Sequence, residues 1–293
     1  MLLALFSVLG IVNLIYLVIF IKDLIAHKDE ILQEPASTIW TPVVQVFIYF
    51  LSTFGISDFA VSTAIYTRAK WVSIKKLPGT LNAQDVIPIF AMAVTYITSV
   101  KIDFLTLAVC MIGQALGAVI GPHIVIRMKE AVIRRFVEAG LLVATIMIVL
   151  SKFNVIQANG TAMGLHGWKL IFAGFALFVF GALNNIGIGC FSLTMATVYL
   201  LGLNPIAAFP IMMGGCALAL PLGAMQFIRA GRYSRKIALS SVFGIIGVLI
   251  AVFVVKSMNM GTIQWIVIGV LIYTCYTLIT SERKIEKLEK ANN

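Results

Sequence analysis

LNPIAAFP, residues 203–210, repeats the pattern of LNAQDVIP, residues 81–88: Asn82 and Pro88 stand six apart in one copy, Asn204 and Pro210 in the other. The flanks agree with the echo. Upstream, FGISDFAVSTAIY (54–66) is similar to IGIGCFSLTMATVY (186–199), which pairs Phe59 with Phe191 if the first copy takes a ten-residue insertion near 68–77. Downstream of each Asn/Pro segment come two long apolar stretches at nearly equal spacing. The chain therefore reads as an internal duplication, a common construction among membrane transport proteins.

Composition places the duplication in a bilayer. Of the 293 residues 60% are hydrophobic and 12% charged, whereas a soluble domain carries about 25% charged residues. At roughly 20 residues per membrane helix the chain supplies several spans. Each half divides into two short pieces meeting at a polar or glycine elbow, followed by three longer ones: 41–53, 56–68, 84–100, 104–126 and 130–151, then 168–184, 187–201, 205–228, 236–256 and 262–281. A 15-residue helix reaches only about 22 Å against a hydrocarbon core of about 30 Å. The short pairs are thus expected to be re-entrant hairpins or broken helices. Residues 170–228 contain no Asp, Glu, Lys or Arg, room for one such pair and a full span.

The fold class expected is an all-α polytopic membrane protein. It has two inverted repeats (41–151 and 168–281), an extra N-terminal transmembrane helix (1–26) and a cytoplasmic tail (282–293). Charge placement favours this parity. If each short pair returns to its starting side, the basic clusters at 22–28, 68–76, 127–135, 229–236 and 283–290 share one face, leaving Lys101, Lys152, Lys169 and Lys256 opposite. Counting each pair as a single crossing blurs that asymmetry, against the positive-inside rule. The N-terminus is then outside and the C-terminus cytoplasmic, in a cytoplasmic (inner) membrane.

The net charge of +10 lies in short clusters between apolar runs, so lipid, not nucleic acid, is the partner implied. The apolar N-terminal stretch has no basic region before it and no small-residue cleavage site after it, the pattern of a retained helix. Cys110, Cys190, Cys216 and Cys275 lie far apart without a CxxC pair and read as small buried residues, with no cofactor or metal centre expected. No GxxxxGK[ST] motif is present, so ATP-driven transport would need another subunit. A homo-oligomer is compatible with all of this.

The elbow with Gly187, Gly189 and Phe191, the LNPIAAFP segment, and GQALGAVIGPHIVIRM (113–128) followed by Arg134 and Phe136 together resemble the TauE/SafE (TSUP) sulfite exporter family. The likeness extends over residues 43–281, with the N-terminal helix as an addition to the family's core. It departs at the first elbow, where Gly55-Ile56-Ser57-Asp58 holds serine and aspartate in place of the usual glycines. The resemblance implies a secondary transporter for sulfite, sulfonates or short organic acids.

An anion at mid-membrane exchanges its hydration for fixed donors, and the N-terminal end of a half-helix supplies free N–H groups and a positive dipole. Each elbow opens such a helix. The substrate-binding residues expected are Asn184, Asn185, Gly187, Gly189, Ser192 and Thr194 at the second elbow, and Ser57, Asp58, Ser62 and Thr63 at the first. The glycines would admit a close backbone approach, while the amides and hydroxyls would add donors; the alternative is that these small residues serve helix packing. Asp58, an acid at membrane depth, is the proton-coupling candidate, against a capping role at the helix start.

Several further residues read as structural. Asn82 and Asn204 are expected to cap the third piece of each half. Tyr96, Gln114 and Gln226 are expected to bond between helices. Gly113, Gly117 and Gly121 are expected to be a packing face. Glu138 can pair with Arg134, and His123 reads as an interface residue.

Two functions of other classes compete with carriage. A passive anion channel could share the architecture. An intramembrane enzyme would use Ser57 with His123, or Asp58 as half of an aspartyl pair, but the sequence offers no second deep aspartate and sets Ser57 and His123 at different depths. The parity argument is directly testable: single cysteines placed in 68–77 and in 229–236 should react with a membrane-impermeant maleimide from the same side, and labelling from opposite sides would refute the inverted scheme.

Overall fold

The computed structural model describes residues 2–54, 56–129, 132, 161–185 and 190–257. The helices expected near 130–151 and 262–281, the Arg134/Glu138 pair and the tail lie outside the described residues. The described chain is helical: α1 (Leu2–Ala26), α2 (Lys28–Ile31), α3 (Trp40–Ser52), α4 (Asp58–Arg68), α5 (Leu77–Ser99), α6 (Phe104–Val125), α7 (Trp168–Asn184), α8 (Phe191–Leu200), α9 (Ala208–Arg229), α10 (Arg235–Ser240) and α11 (Gly244–Ser257). Among the described residues, four stretches are long and apolar enough to cross a membrane: Leu2–Ala26, Phe104–Ile124, Ala208–Arg229 and Arg235–Phe253.

The helix α1 buries one stripe, Leu9, Asn13, Tyr16 and Phe20, at helical spacing. Its other faces expose Leu3, Ile11, Leu14 and Ile25 among others, as a lipid-facing span requires. The stripe is anchored by polar contacts: Asn13 Nδ2 donates to the Ala217 carbonyl at 2.9 Å and Tyr16 to the Ala83 carbonyl at 2.8 Å.

The helices pack in a defined set of neighbours. α6 lies on α7 and α11 on α3; α4 touches α3 and α5, as α8 touches α7 and α9; α5 and α9 face each other. Glycines permit the close approach of α6 to α7 and of α11 to α3. A Cβ on Gly117 would stand 1.9 Å from the Phe178 carbonyl oxygen, one on Gly113 2.3 Å from that of Gly174, and one on Gly247 2.1 Å from that of Val46. The glycine face of α6 is thus a packing surface, as its spacing suggested.

The ends of the bundle differ chemically. At one, Asp23 pairs with Arg235 at 2.7 Å, and the Glu34 carboxylate accepts Ser234 Oγ and the backbone N–H groups of Arg235 and Lys236. Lys236 Nζ donates to the carbonyls of Leu32, Glu34 and Ala36, and Ser234 N–H to Thr80 Oγ1 at 2.9 Å. At the other end of α5, Asp103 N–H donates to the Met163 carbonyl, Leu165 N–H to Thr106 Oγ1 and Asn204 N–H to the Ala162 carbonyl, each at 2.8 Å. Asp103 also caps α6 through Thr106, whose N–H and hydroxyl hold its carboxyl below the ordinary carboxylate value.

Both short pairs turn back on themselves. Lys169 Nζ, at the start of α7, reaches the Leu201 carbonyl just past α8, at 3.0 Å. Gln45, early in α3, meets Tyr66, late in α4, at 2.9 Å. α5 starts at Leu77 and not near 84, so Asn82 sits inside the helix and donates back to the Pro78 carbonyl at 2.9 Å; the expected cap is not there. Asn204 does cap locally, through Ile206 N–H at 3.0 Å.

Because the contact is with backbone, Gly117→Ala should destabilise the purified protein by about 1–3 kcal/mol. Gly10→Ala, with nothing within 4 Å of the added carbon, should leave the thermal midpoint unchanged; equal midpoints for both variants would contradict this packing.

Candidate functional site

Three polar faces converge at the first elbow. On α3, Gln45, Tyr49 and Ser52 follow one another at helical spacing, and on α4 so do Asp58, Ser62 and Tyr66; α5 contributes the adjacent pair Gln84 and Asp85. All are buried, none more than 3% exposed. In such surroundings each polar atom requires a partner.

The network largely meets that requirement. Ser52 donates to Asp58 Oδ2 at 2.9 Å and Phe59 N–H to Asp58 Oδ1 at 2.8 Å. Tyr49 donates to Asp85 Oδ1. Gln84 Oε1 accepts from Tyr66 at 2.7 Å and from Gln45 Nε2 at 3.1 Å, while its own Nε2 donates to Ser62 Oγ at 2.8 Å. Tyr49 and Ser52 lie one turn apart on α3, so a single helix face serves both carboxyls. No Lys, Arg or His side chain bonds to either carboxyl among the described residues.

The Asp85 finding corrects one expectation. A second deep aspartate does exist: Asp85 is 1% exposed, and Tyr49, which donates to it, lies one turn along α3 from Ser52, which donates to Asp58. The enzyme alternative therefore loses the objection raised against an aspartyl pair. Its serine–histidine form finds no support, since Ser57 caps α4 through Ala60 N–H at 3.3 Å and His123 is exposed, bonded to the Val119 carbonyl of its own helix.

At the second elbow Gln114 of α6 donates to Cys190 Sγ at 3.3 Å and to Cys216 Sγ at 3.1 Å, and the two sulfurs stand 3.0 Å apart. Cysteines distant in sequence are here neighbours, and Cys110, Cys190 and Cys216 are buried as expected. The paired copies align Cys190 with Asp58, so each elbow carries a titratable group at the start of its second helix. Tyr96 and Gln226 also bond between elements, to the carbonyls of Thr53 at 2.5 Å and Val119 at 3.0 Å.

The expected site residues divide accordingly. Ser57, Asp58 and Ser62 belong to the first elbow and its network. Thr63 and Thr194 are buried with hydroxyls that have no partner among the described residues, and Asn184 is buried at the end of α7. Asn185 does not offer a donor to a solute: its Nδ2 is spent on the Gly181 carbonyl at 2.8 Å and that of Ala118 at 3.4 Å. Gly187, Gly189 and the Ser192 side chain lie outside the described residues. Gln45, Tyr49, Gln84 and Asp85 were missed by sequence reasoning. Their signal was available as polar residues recurring every three or four positions through apolar helices, a stripe with no reason to exist on a lipid-facing surface.

The family model described as Sulfite exporter TauE/SafE matches residues 1–148. The match takes in α1, which the resemblance had set outside the family's core, and stops before the second repeat. No curated protein and no solved structure matches the chain. Matched over half its length, with apolar helices built for a bilayer, the chain belongs to the TauE/SafE sulfite exporter family, a family of membrane transporters.

Proposed function

We propose that this chain is a secondary carrier for a small sulfur-containing or carboxylated anion, such as sulfite, a sulfonate or a short organic acid. It works by alternating access across the cytoplasmic membrane and is coupled to protons through Asp58 and Asp85. In this reading α3–α4 and α7–α8 are hairpins dipping in from opposite faces. The return contacts of both pairs support it. The first turns of α4 and α8 then direct positive helix ends toward the centre.

One observation carries the proton coupling: two buried carboxyls share the face of α3 without a basic partner among the described residues. Ionised, they would repel an incoming anion. At an effective dielectric of about 20 and a separation of about 6 Å, each negative charge costs the anion about 3 kcal/mol, roughly a hundredfold in affinity. Protonation removes that penalty, so anion binding and proton uptake strengthen each other. Ser52 and Tyr49 hold the carboxyls of Asp58 and Asp85 in position.

Counterflow in reconstituted vesicles tests carriage: trapped unlabelled anion should accelerate uptake of labelled anion, which a passive channel does not do. No counterflow with sulfite, any sulfonate or any short organic acid would overturn the reading. Asp58→Asn should reduce uptake driven by a pH gradient by about tenfold or more, a loss of about 1.4 kcal/mol or greater, while sparing exchange. Asp85→Asn should do the same, and unchanged gradient-driven flux in both variants would remove the proton role.

A further inference from the structure

An amide oxygen buried at membrane depth needs a hydrogen-bond donor or a cation. Asn185, the C-cap of α7, is fully buried. Its Nδ2 donates to the Gly181 carbonyl at 2.8 Å and faces that of Ala118 at 3.4 Å. This fixes which way the amide points, since a flip would set oxygen against oxygen. Its Oδ1 is left without a hydrogen-bond partner among the described residues.

The oxygen is turned toward Gly223 of α9. A Cβ at Gly223 would lie 2.4 Å from Asn185 Oδ1 and 3.3 Å from Asn82 Oδ1. Asn82 is 1% exposed and oriented by the same logic, its Nδ2 donating to the Pro78 carbonyl at 2.9 Å. Two amide oxygens from two elements thus converge on a glycine of a third. The surroundings are negative as well. α7 ends beside Asn185, so the carbonyl end of its dipole lies there, and Asp85 follows Asn82 by three residues, about one turn along α5.

We propose that Asn82 and Asn185 bind a monovalent alkali cation beside Gly223. The oxygens are neutral amides, which suits a singly charged ion; calcium and magnesium draw on carboxylates, and softer metals on thiolate or imidazole. The inference rests on the carrier reading for its purpose: the cation would offset the charge of the anion held at the elbows. The division of labour follows the helix ends, with the anion at the positive starts of α4 and α8 and the cation at the negative end of α7.

The test is thermal unfolding of the purified full chain in detergent, titrated with sodium chloride against choline chloride at constant ionic strength. Wild type should show a saturable, sodium-specific rise of about 2–4 °C. Gly223→Ala, which places a methyl group against both oxygens, should abolish the rise, and Asn185→Asp should retain or enlarge it. No difference between sodium and choline, as a bound water alone would give, overturns the proposal. So does a full sodium response in Gly223→Ala or a weakened one in Asn185→Asp. Counterflow separates this from the carrier reading: a sodium response without any anion counterflow leaves the cation site and sinks carriage, while counterflow without a sodium response does the reverse.

Discussion

A helix that stops inside a bilayer leaves N–H and C=O groups that lipid cannot satisfy, and protein must cover them. Thr53, Ser57, Asn184 and Asn185, which flank the breaks between short helices, are all buried, so neighbouring helices must supply the partners there. The breaks lie between α3 and α4 and between α7 and α8. Ser57 caps one outgoing helix, Tyr96 reaches the Thr53 carbonyl beside the same break, and Asn185 closes the incoming helix of the other pair. The glycine faces of α6 and α11 allow these helices to lie against the incoming helices closely enough to brace them.

Once the backbone is covered, the polar side chains behind each elbow become the chemical content of the interior. At the first elbow they form a connected set in which tyrosine and serine hydroxyls hold two carboxyls and a glutamine pair crosslinks three helices. At the second, thiols and amides take the same place, with Gln114 directed at Cys190 and Cys216. The sequence alignment of the two elbows pairs Asp58 with Cys190, so an acid stands at one elbow where a thiol stands at the other.

The N-terminal helix has a structural role that its position in the chain conceals. Its buried stripe bonds to α5 and α9, the two long helices that face each other. Its charged end, with the turn after it, grips residues 233–236 through Asp23, Glu30 and Glu34. Arg235 and Lys236 are there almost fully enclosed, and buried charges of this kind persist only when every donor finds an acceptor.

Sequence alone determined the solvent and the helical class, and it suggested a duplication. Charge depletion, element length and a repeated Asn/Pro spacing are local quantities that survive without any knowledge of packing. It also located both elbows, because glycine, serine and aspartate interrupt apolar runs there. What the tertiary structure decided is which distant residues share a neighbourhood. A helix beginning near 84 would set Asp85 in its first turn; α5 starts at Leu77 and carries it into the interior. Cys190 and Cys216 looked unrelated until α8 met α9. Asn185 looked like a donor until the backbone carbonyls around it took both amide hydrogens. A side chain's role at membrane depth is set by which of its atoms the neighbouring helices leave unpaired, and that property belongs to the assembled bundle, not to the chain.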